Sequence, residues 1–212
     1  MKKKMIRFGL GILMGLGMQV AVLGAGFSAV EAYANTLPIT TSVDECNIII
    51  PPADIGFDRW ALVEAGFATE DIQTMFEQET LRLVNIIRAE YGLPPVAFCN
   101  DMARIARMRS DEMIAYDVGG HVSPTTGLSH TEHARAMGLN LAYAGENMGR
   151  RAPNPQAAID AWMSSTGHRE FILSGHSTSR FSQMSYIGVG FAFGGERNIT
   201  AWTLWQTCGS PA

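Results

Sequence analysis

Ser185-Tyr-Ile-Gly-Val-Gly-Phe-Ala-Phe193 and Ile199-Thr-Ala-Trp-Thr-Leu-Trp-Gln-Thr207 decide how this chain folds. The first run alternates small and apolar residues around Gly188 and Gly190. The second alternates around two tryptophans. A period of two with β-branched and aromatic residues is the mark of a strand, and Gly194-Gly195 between the runs marks a turn region. Both follow a long stretch of helical texture. Strands placed after helices, rather than alternating with them, predict an α+β domain with helices packed over a small antiparallel sheet. A further strand is expected near Phe171 to Leu173.

Working back from the hairpin, Asn154-Pro155 supplies a cap and a first-turn proline for a helix that carries Ala158, Ile159 and Trp162 inward and ends near Gly167. A shorter helix is expected from Thr131 to Met137, stopped by Gly138. Asn100 opens another, with Met102, Ile105, Ala106, Met113 and Tyr116 as its apolar face. Arg104, Arg107 and Asp111 form its solvated side, and Gly119-Gly120 ends it. The longest helix starts at Thr69 as cap, with Glu70 and Asp71 in the first turn. It carries Ile72, Met75, Phe76, Leu83, Ile87 and Tyr91 before Gly92 and Pro94. Phe57 to Phe67 reads as a short helix ended by Gly66.

The N-terminus has a different texture. Lys2, Lys3, Lys4 and Arg7 precede an uncharged apolar run, Phe8 to Val30, and Ala32-Tyr-Ala34 follows. That order predicts a signal peptide over 1–34 cleaved after Ala34, the alternative being a retained anchor. Residues 35–68 read as an extended leader with a short helix, and 69–212 as the domain. Residues 35–212 number 178, enough for one domain with a sizeable core. They hold twelve arginines and no lysine against nineteen acids, near −7 with neutral histidines. With no basic stripe, nucleic acid is discounted as a partner. Membrane contact is expected only transiently, through the signal segment. Cys46, Cys99 and Cys208 are an odd set. Export allows one disulfide and leaves a thiol free or paired between chains, and the pairing stays open.

Chemistry-bearing residues gather between His121 and Arg169. His121-Val-Ser-Pro, Gly145-Glu146-Asn147 and Trp162-Met-Ser-Ser-Thr-Gly-His168-Arg169 lie on separate segments that only the fold can bring together. Two imidazoles and a carboxylate form an incomplete zinc set with an open position. Glu146 also reads as a residue that organises a loop or orients a histidine, and Asn147 as a structural turn residue. His130-Thr-Glu132-His133 is not His-Glu-x-x-His and reads as a solvated helix start capped by Ser129 or Thr131. Ser165, three residues before His168, lacks a nucleophile elbow. Trp162, Trp202 and Trp205 read as core anchors, with a carbohydrate platform as the alternative for an exposed ring.

Several of these runs, in this order, resemble bacterial SCP domains of the CAP superfamily of cysteine-rich secretory proteins, venom antigens and plant pathogenesis-related proteins. The runs are Leu83-Val-Asn-Ile-Ile-Arg-Ala-Glu-Tyr-Gly-Leu-Pro-Pro95, Ala103-Arg-Ile-Ala106, His121-Val-Ser-Pro124, Gly145-Glu-Asn147, Trp162 to Arg169, Ile187-Gly-Val-Gly190 and Trp202 to Gln206. The resemblance covers about Glu70 to Gly209. It implies an α-β-α sandwich and a cleft whose His/Glu tetrad binds Zn²⁺ or Mg²⁺ in some members. His121, Glu146 and His168 match tetrad positions and are the metal set it implies. The remaining Glu falls on Ser165, with Glu132 as a candidate substitute. Phe171 stands where bacterial relatives usually have Asn.

The resulting expectation is a secreted or envelope-located binding module whose ligand is a lipid, a cell-wall component or a protein. The alternative is a metal-assisted, peptidase-like hydrolase in the same cleft, with Glu146 as the candidate base. A third reading, an envelope assembly element linked through an unpaired Cys, rests on the odd cysteine count.

Overall fold

The computed structural model describes residues 49–136, 144–194 and, for the backbone, 199–207. The signal segment, Cys46, Cys208, Met137-Gly138 and Gly195 lie outside the described residues, as do the side chains of Trp202 and Trp205. The elements are α1 (Arg59–Glu64), α2 (Thr69–Glu90), β1 (Ala97–Phe98), α3 (Asn100–Ala115), α4 (His130–Ala136), β2 (Ala144–Arg150), α5 (Pro155–Ser164), α6 (Thr166–Ile172), β3 (Tyr186–Gly194) and β4 (Ile199–Thr207). The strands form one sheet in the order β1-β3-β4-β2. The expected hairpin is β3–β4, paired antiparallel from Tyr186↔Thr207 to Gly194↔Ile199.

Helices cover both faces of the sheet, giving the α-β-α sandwich. On one face Ile187, Val189 and Phe191 pack with Ile72, Met75, Phe76 and Val84 of α2 and with Ile159 and Trp162 of α5. Phe76 stacks on Phe191 with ring centroids 4.6 Å apart. The other face of β3 presents Gly188 and Gly190 to α3. A Cβ on Gly188 would lie 2.2 Å from the Met102 backbone, and one on Gly190 would lie 2.1 Å from that of Ala106. Only glycine lets the helix backbone rest directly on the strand. Ser110, one turn past Ala106, then donates from Oγ to the Gly190 carbonyl at 2.9 Å.

β1 covers only the first two residues of β3, so among the described residues the strand edge beyond it has no partner strand. Helix α2 supplies one in side-chain form. Gln73 Nε2 donates to Phe191 O at 2.8 Å, and Phe191 N–H donates to Glu77 Oε1 at 3.1 Å. Arg107 in turn donates to Glu77 from Nε at 2.9 Å and Nη2 at 2.5 Å. Arg107 therefore keeps a side chain 37 % exposed, on the solvated side expected for it, yet reaches inward because the buried Glu77 carboxylate needs a counter-charge. Arg88 is fully buried. It donates to the carbonyls of Pro94 (3.0 Å), Ile172 (2.7 Å) and Ser174 (3.3 Å), tying the end of α2 to the end of α6. Burial pulls its pKa down to about 10.

Four expectations change. Phe171 to Leu173 is the end of helix α6, not a strand: Ser165 breaks the backbone into extended geometry and helical bonding resumes at Arg169 N–H to Ser165 O. The helix begun at Pro155 accordingly ends at Ser164, before Gly167. Gly145-Glu146-Asn147 lies in strand β2, paired along its length with β4, rather than in a loop. Ala68 and Cys99, not Thr69 and Asn100, occupy the caps of α2 and α3. The Asn154 cap holds, its Oδ1 accepting from Ala157 N–H at 2.9 Å.

Candidate functional site

Arg109 organises the site from beneath. It lies on the inward stripe of α3, four residues before Met113, and is 2 % exposed. Its guanidinium reaches three partners. Nε donates to Glu146 Oε1 at 3.4 Å, Nη1 to Glu112, and Nη2 to the Gly120 carbonyl at 2.5 Å. The reach exists because the glycines of β3 bring α3 close to the sheet. Glu146 enters from β2 with its side chain fully enclosed and accepts at Oε2 from His121 Nδ1, 2.8 Å away. A guanidinium on one side and an imidazole donor on the other suit a buried carboxylate.

His121 sits on the segment that Arg109 and Glu112 hold down. Gly120, whose carbonyl Arg109 binds, has φ +135, a conformation that L side chains rarely adopt. Glu112 accepts from Ser123 Oγ at 2.5 Å, from Thr125 and from Arg109. Burial alone would raise the Glu112 carboxyl, but those bonds outweigh it and hold it below the ordinary value. The His121 side chain is 55 % exposed. The bond to Glu146 raises its pKa, and desolvation works against that rise. The ring nitrogen facing Glu146 is Nδ1, so Nε2 is available to the cleft.

A cavity of about 390 Å³ opens beside β2, with His121, His168 and Arg150 as its polar lining and Met113 and Met148 as apolar lining. His168 arrives from α6 on the opposite side of the sheet from α3. Asn147 secures that approach, donating from Nδ2 to the His168 carbonyl at 3.0 Å, a bond between distant segments in place of the turn expected of it. Desolvation lowers the His168 pKa, and the His121 charge adds to the effect. Arg150 is engaged with Asp117. Phe171 replaces a polar contact with packing. Its ring lies where a Cβ on Gly145 would be, 1.6 Å from Cζ, and meets Phe181 edge-on at 4.9 Å.

The sequence-derived residues thus separate. His121 and His168 share the cavity, and Glu146 stands behind His121 rather than in the lining. Ser165 is the residue between α5 and α6 and is not part of the cavity lining. The Glu132 carboxylate turns to its own helix start and accepts from Ser129 N–H at 2.8 Å and Ser129 Oγ at 2.7 Å. This is the Ser129 capping expected of that segment, and it directs Glu132 away from a ligand role. Trp162 is a core anchor, 2 % exposed, with Nε1 donating to Met148 O at 3.1 Å. Cys99 is buried and burial pushes its thiol up, the opposite of a nucleophile's setting.

Three participants went unread. Arg109 and Glu112 are charges in or beside an apolar helical stripe, which is itself a signal of buried partners. His130, read as solvated, lies within reach of His121 and Glu146: each offers one ligand atom, and the three atoms lie within 4.8 Å of one another. Imidazole and carboxylate donors at that spacing fit a divalent cation of the zinc class.

Comparisons with known proteins agree with this architecture. The model of the CAP, cysteine-rich secretory protein family matches residues 81–208. The uncharacterized protein YkwD of Bacillus subtilis (strain 168) is 32 % identical over 120 residues, 57 % of this chain and 44 % of that protein. The uncharacterized membrane protein YlbC of the same strain is 28 % identical over 142 residues, 67 % of this chain and 36 % of that protein. This chain therefore spans less than half the length of either relative. An extracellular protein containing a SCP domain from Bacillus anthracis superposes with a TM-score of 0.54 at 26 % identity, covering 64 % of this chain and 42 % of the other. An outer surface protein of Borrelia burgdorferi shares the fold at 12 % identity, with a TM-score of 0.52 over 63 % of this chain and 92 % of that one. With its sandwich, its cleft and a family match covering more than half its length, the chain belongs to the CAP, cysteine-rich secretory protein family.

Proposed function

We propose that this chain is an exported binding or interaction module that contacts its ligand through the cleft beside β2. The observation that carries the reading is the Arg109–Glu146–His121 chain. A buried guanidinium fixes a buried carboxylate, which fixes through Nδ1 an exposed imidazole that lines the cleft. A carboxylate behind a histidine is the arrangement that orients metal-binding and ligand-binding imidazoles. His121 and His168 are then the contacts for a polar ligand or a divalent cation of the Zn²⁺ or Mg²⁺ kind. A bound cation would supply a Lewis acid for polar groups of a lipid, a cell-wall component or a protein.

Export is supported by the basic, apolar and Ala-x-Ala order of residues 2–34. The Bacillus anthracis protein it resembles is described as extracellular. Among the described residues no helix is long and apolar enough to cross a membrane. Zn²⁺ serves as the first probe. His121→Ala with His168→Ala should leave the fold intact and weaken Zn²⁺ binding by calorimetry. Unchanged affinity in the double variant would remove the cleft as the binding surface.

The His121–Glu146 hydrogen bond also favours a second reading, metal-assisted hydrolysis of a peptide or ester. With both Glu146 oxygens engaged, Glu146 would hold the His121 ring as a ligand, and a bound cation would acidify its own water, whose proton would pass to solvent. Turnover lost on chelation and in Glu146→Gln is the expected result. No turnover across a broad peptide and ester panel with metal supplied would eliminate it.

A further inference from the structure

His130 has no counterpart in the set carried over from the family, yet the backbone brings it to His121. Val122 and Ser129 form an isolated antiparallel bridge. The residue before Val122 and the first residue of α4 after Ser129 are thereby brought side by side, and these are His121 and His130. The two rings meet edge to face, with centroids 5.9 Å apart.

Both halves of the bridge are independently fixed. On the His121 side, Arg109 holds Gly120 and Glu112 holds Ser123. On the His130 side, Glu132 caps Ser129, and the buried His133 ring bonds Thr126 through Nε2 at 2.7 Å. Ser123 N–H and Leu128 O close the loop at 2.9 Å. The imidazole pair is thus built before any ligand arrives, and Glu146, held by Arg109 and bonded to His121, lies beside it: one possible ligand atom from each of the three falls within 4.8 Å of the others. Among the described residues, His168 joins no such group.

We propose that the cation site of this cleft is His121 with His130, backed by Glu146, and that it selects borderline transition ions such as Zn²⁺, Ni²⁺ or Cu²⁺ over Mg²⁺ and Ca²⁺. The proposal rests on the cleft reading above and replaces His168 as the second imidazole. Nitrogen donors favour the borderline ions, whereas Mg²⁺ and Ca²⁺ want shells dominated by oxygen. His168 is left to contact whatever else enters the cavity.

The test is calorimetric titration of the protein with Zn²⁺ alone, repeated in excess Mg²⁺, for wild type, His130→Ala, His130→Gln and His168→Ala. Both His130 variants should weaken Zn²⁺ by roughly tenfold or more, the scale on which even supporting residues of metal sites act. His168→Ala should stay within a few-fold of wild type, and Mg²⁺ should not compete. His130→Gln keeps a polar head at the helix start, and its melting temperature separates lost ligation from a lost fold. No Zn²⁺ binding by wild type would overturn both this proposal and the cation reading of the cleft. Wild-type binding that both folded His130 variants retain would overturn this proposal alone.

Discussion

The two faces of strand β3 meet their helices in opposite ways. Ile187, Val189 and Phe191 fill one face with large side chains that interlock with α2 and α5. Gly188 and Gly190 leave the other face bare, and the α3 backbone occupies the space itself. The apolar face is a packing surface, where loss of a carbon is the hazard. The glycine face is a contact of two backbones, where gain of a carbon is the hazard. The second arrangement has a chemical consequence: it brings α3 near enough for Arg109 to reach the carboxylate on β2 and the loop carrying His121. A sheet can therefore hold a site in place through what one of its faces lacks.

The strongest way to break this contrast is at its charged end. Arg109→Met would strand Glu146 and Glu112 without their shared counter-charge, and should cost about 3–5 kcal/mol in denaturant unfolding. A loss near zero would mean that the buried carboxylates do not depend on the guanidinium. Next come two changes of one carbon. Gly190→Ala drives a methyl into the Ala106 backbone and should cost roughly 3 kcal/mol, at the upper end of overpacking. Ile187→Val, on the apolar face, should cost about 0.5–1.5 kcal/mol. Equal losses from the pair would erase the distinction between the faces.

The smallest effect is a pH dependence. Desolvation lowers the His133 pKa, with the Arg109 charge adding to it. Its neutral form is the folded one, so its contribution is complete above the unfolded value of ~6.5 and is lost as pH falls through the lowered folded value. His121 has the opposite sign: raised by Glu146, its contribution is present below the unfolded value and is lost as pH rises through the folded one. Melting temperatures at pH 5 and pH 8 with chelator present should show a shallower acid loss for His133→Gln than for wild type. An identical loss would place the acid sensitivity elsewhere.

The hairpin was legible because period-two alternation is a local property, and Asn154-Pro155 was legible because a cap is chosen by nearest neighbours. Strand β2 was not, because Ala144-Gly-Glu-Asn-Met-Gly-Arg150 has neither alternation nor β-branched residues. Its extended form is imposed by β4 alongside it, a tertiary override of weak propensity. The same limit hid the roles within the site. The residues His121, Glu146 and His168 were found, and orienting a histidine was among the roles open to Glu146, but not which histidine it holds or that Arg109 anchors it. Arg109 lay in plain view as a cation on the Met102–Ala106–Met113 stripe. A charge at such a position asks for an acid elsewhere in the chain, and Glu146 answers it.

One feature of the sheet margin bears on molecules in a crowd rather than on the molecule alone. A strand edge with open amide and carbonyl groups is a template on which a second copy can add. Beyond β1, the edge of β3 meets Gln73 and Glu77, which satisfy both backbone groups of Phe191. Those two helical side chains act as a stopper against polymerisation through that edge. Changing both to alanine would open it, and the first sign would be concentration-dependent self-association rather than any change at the cleft.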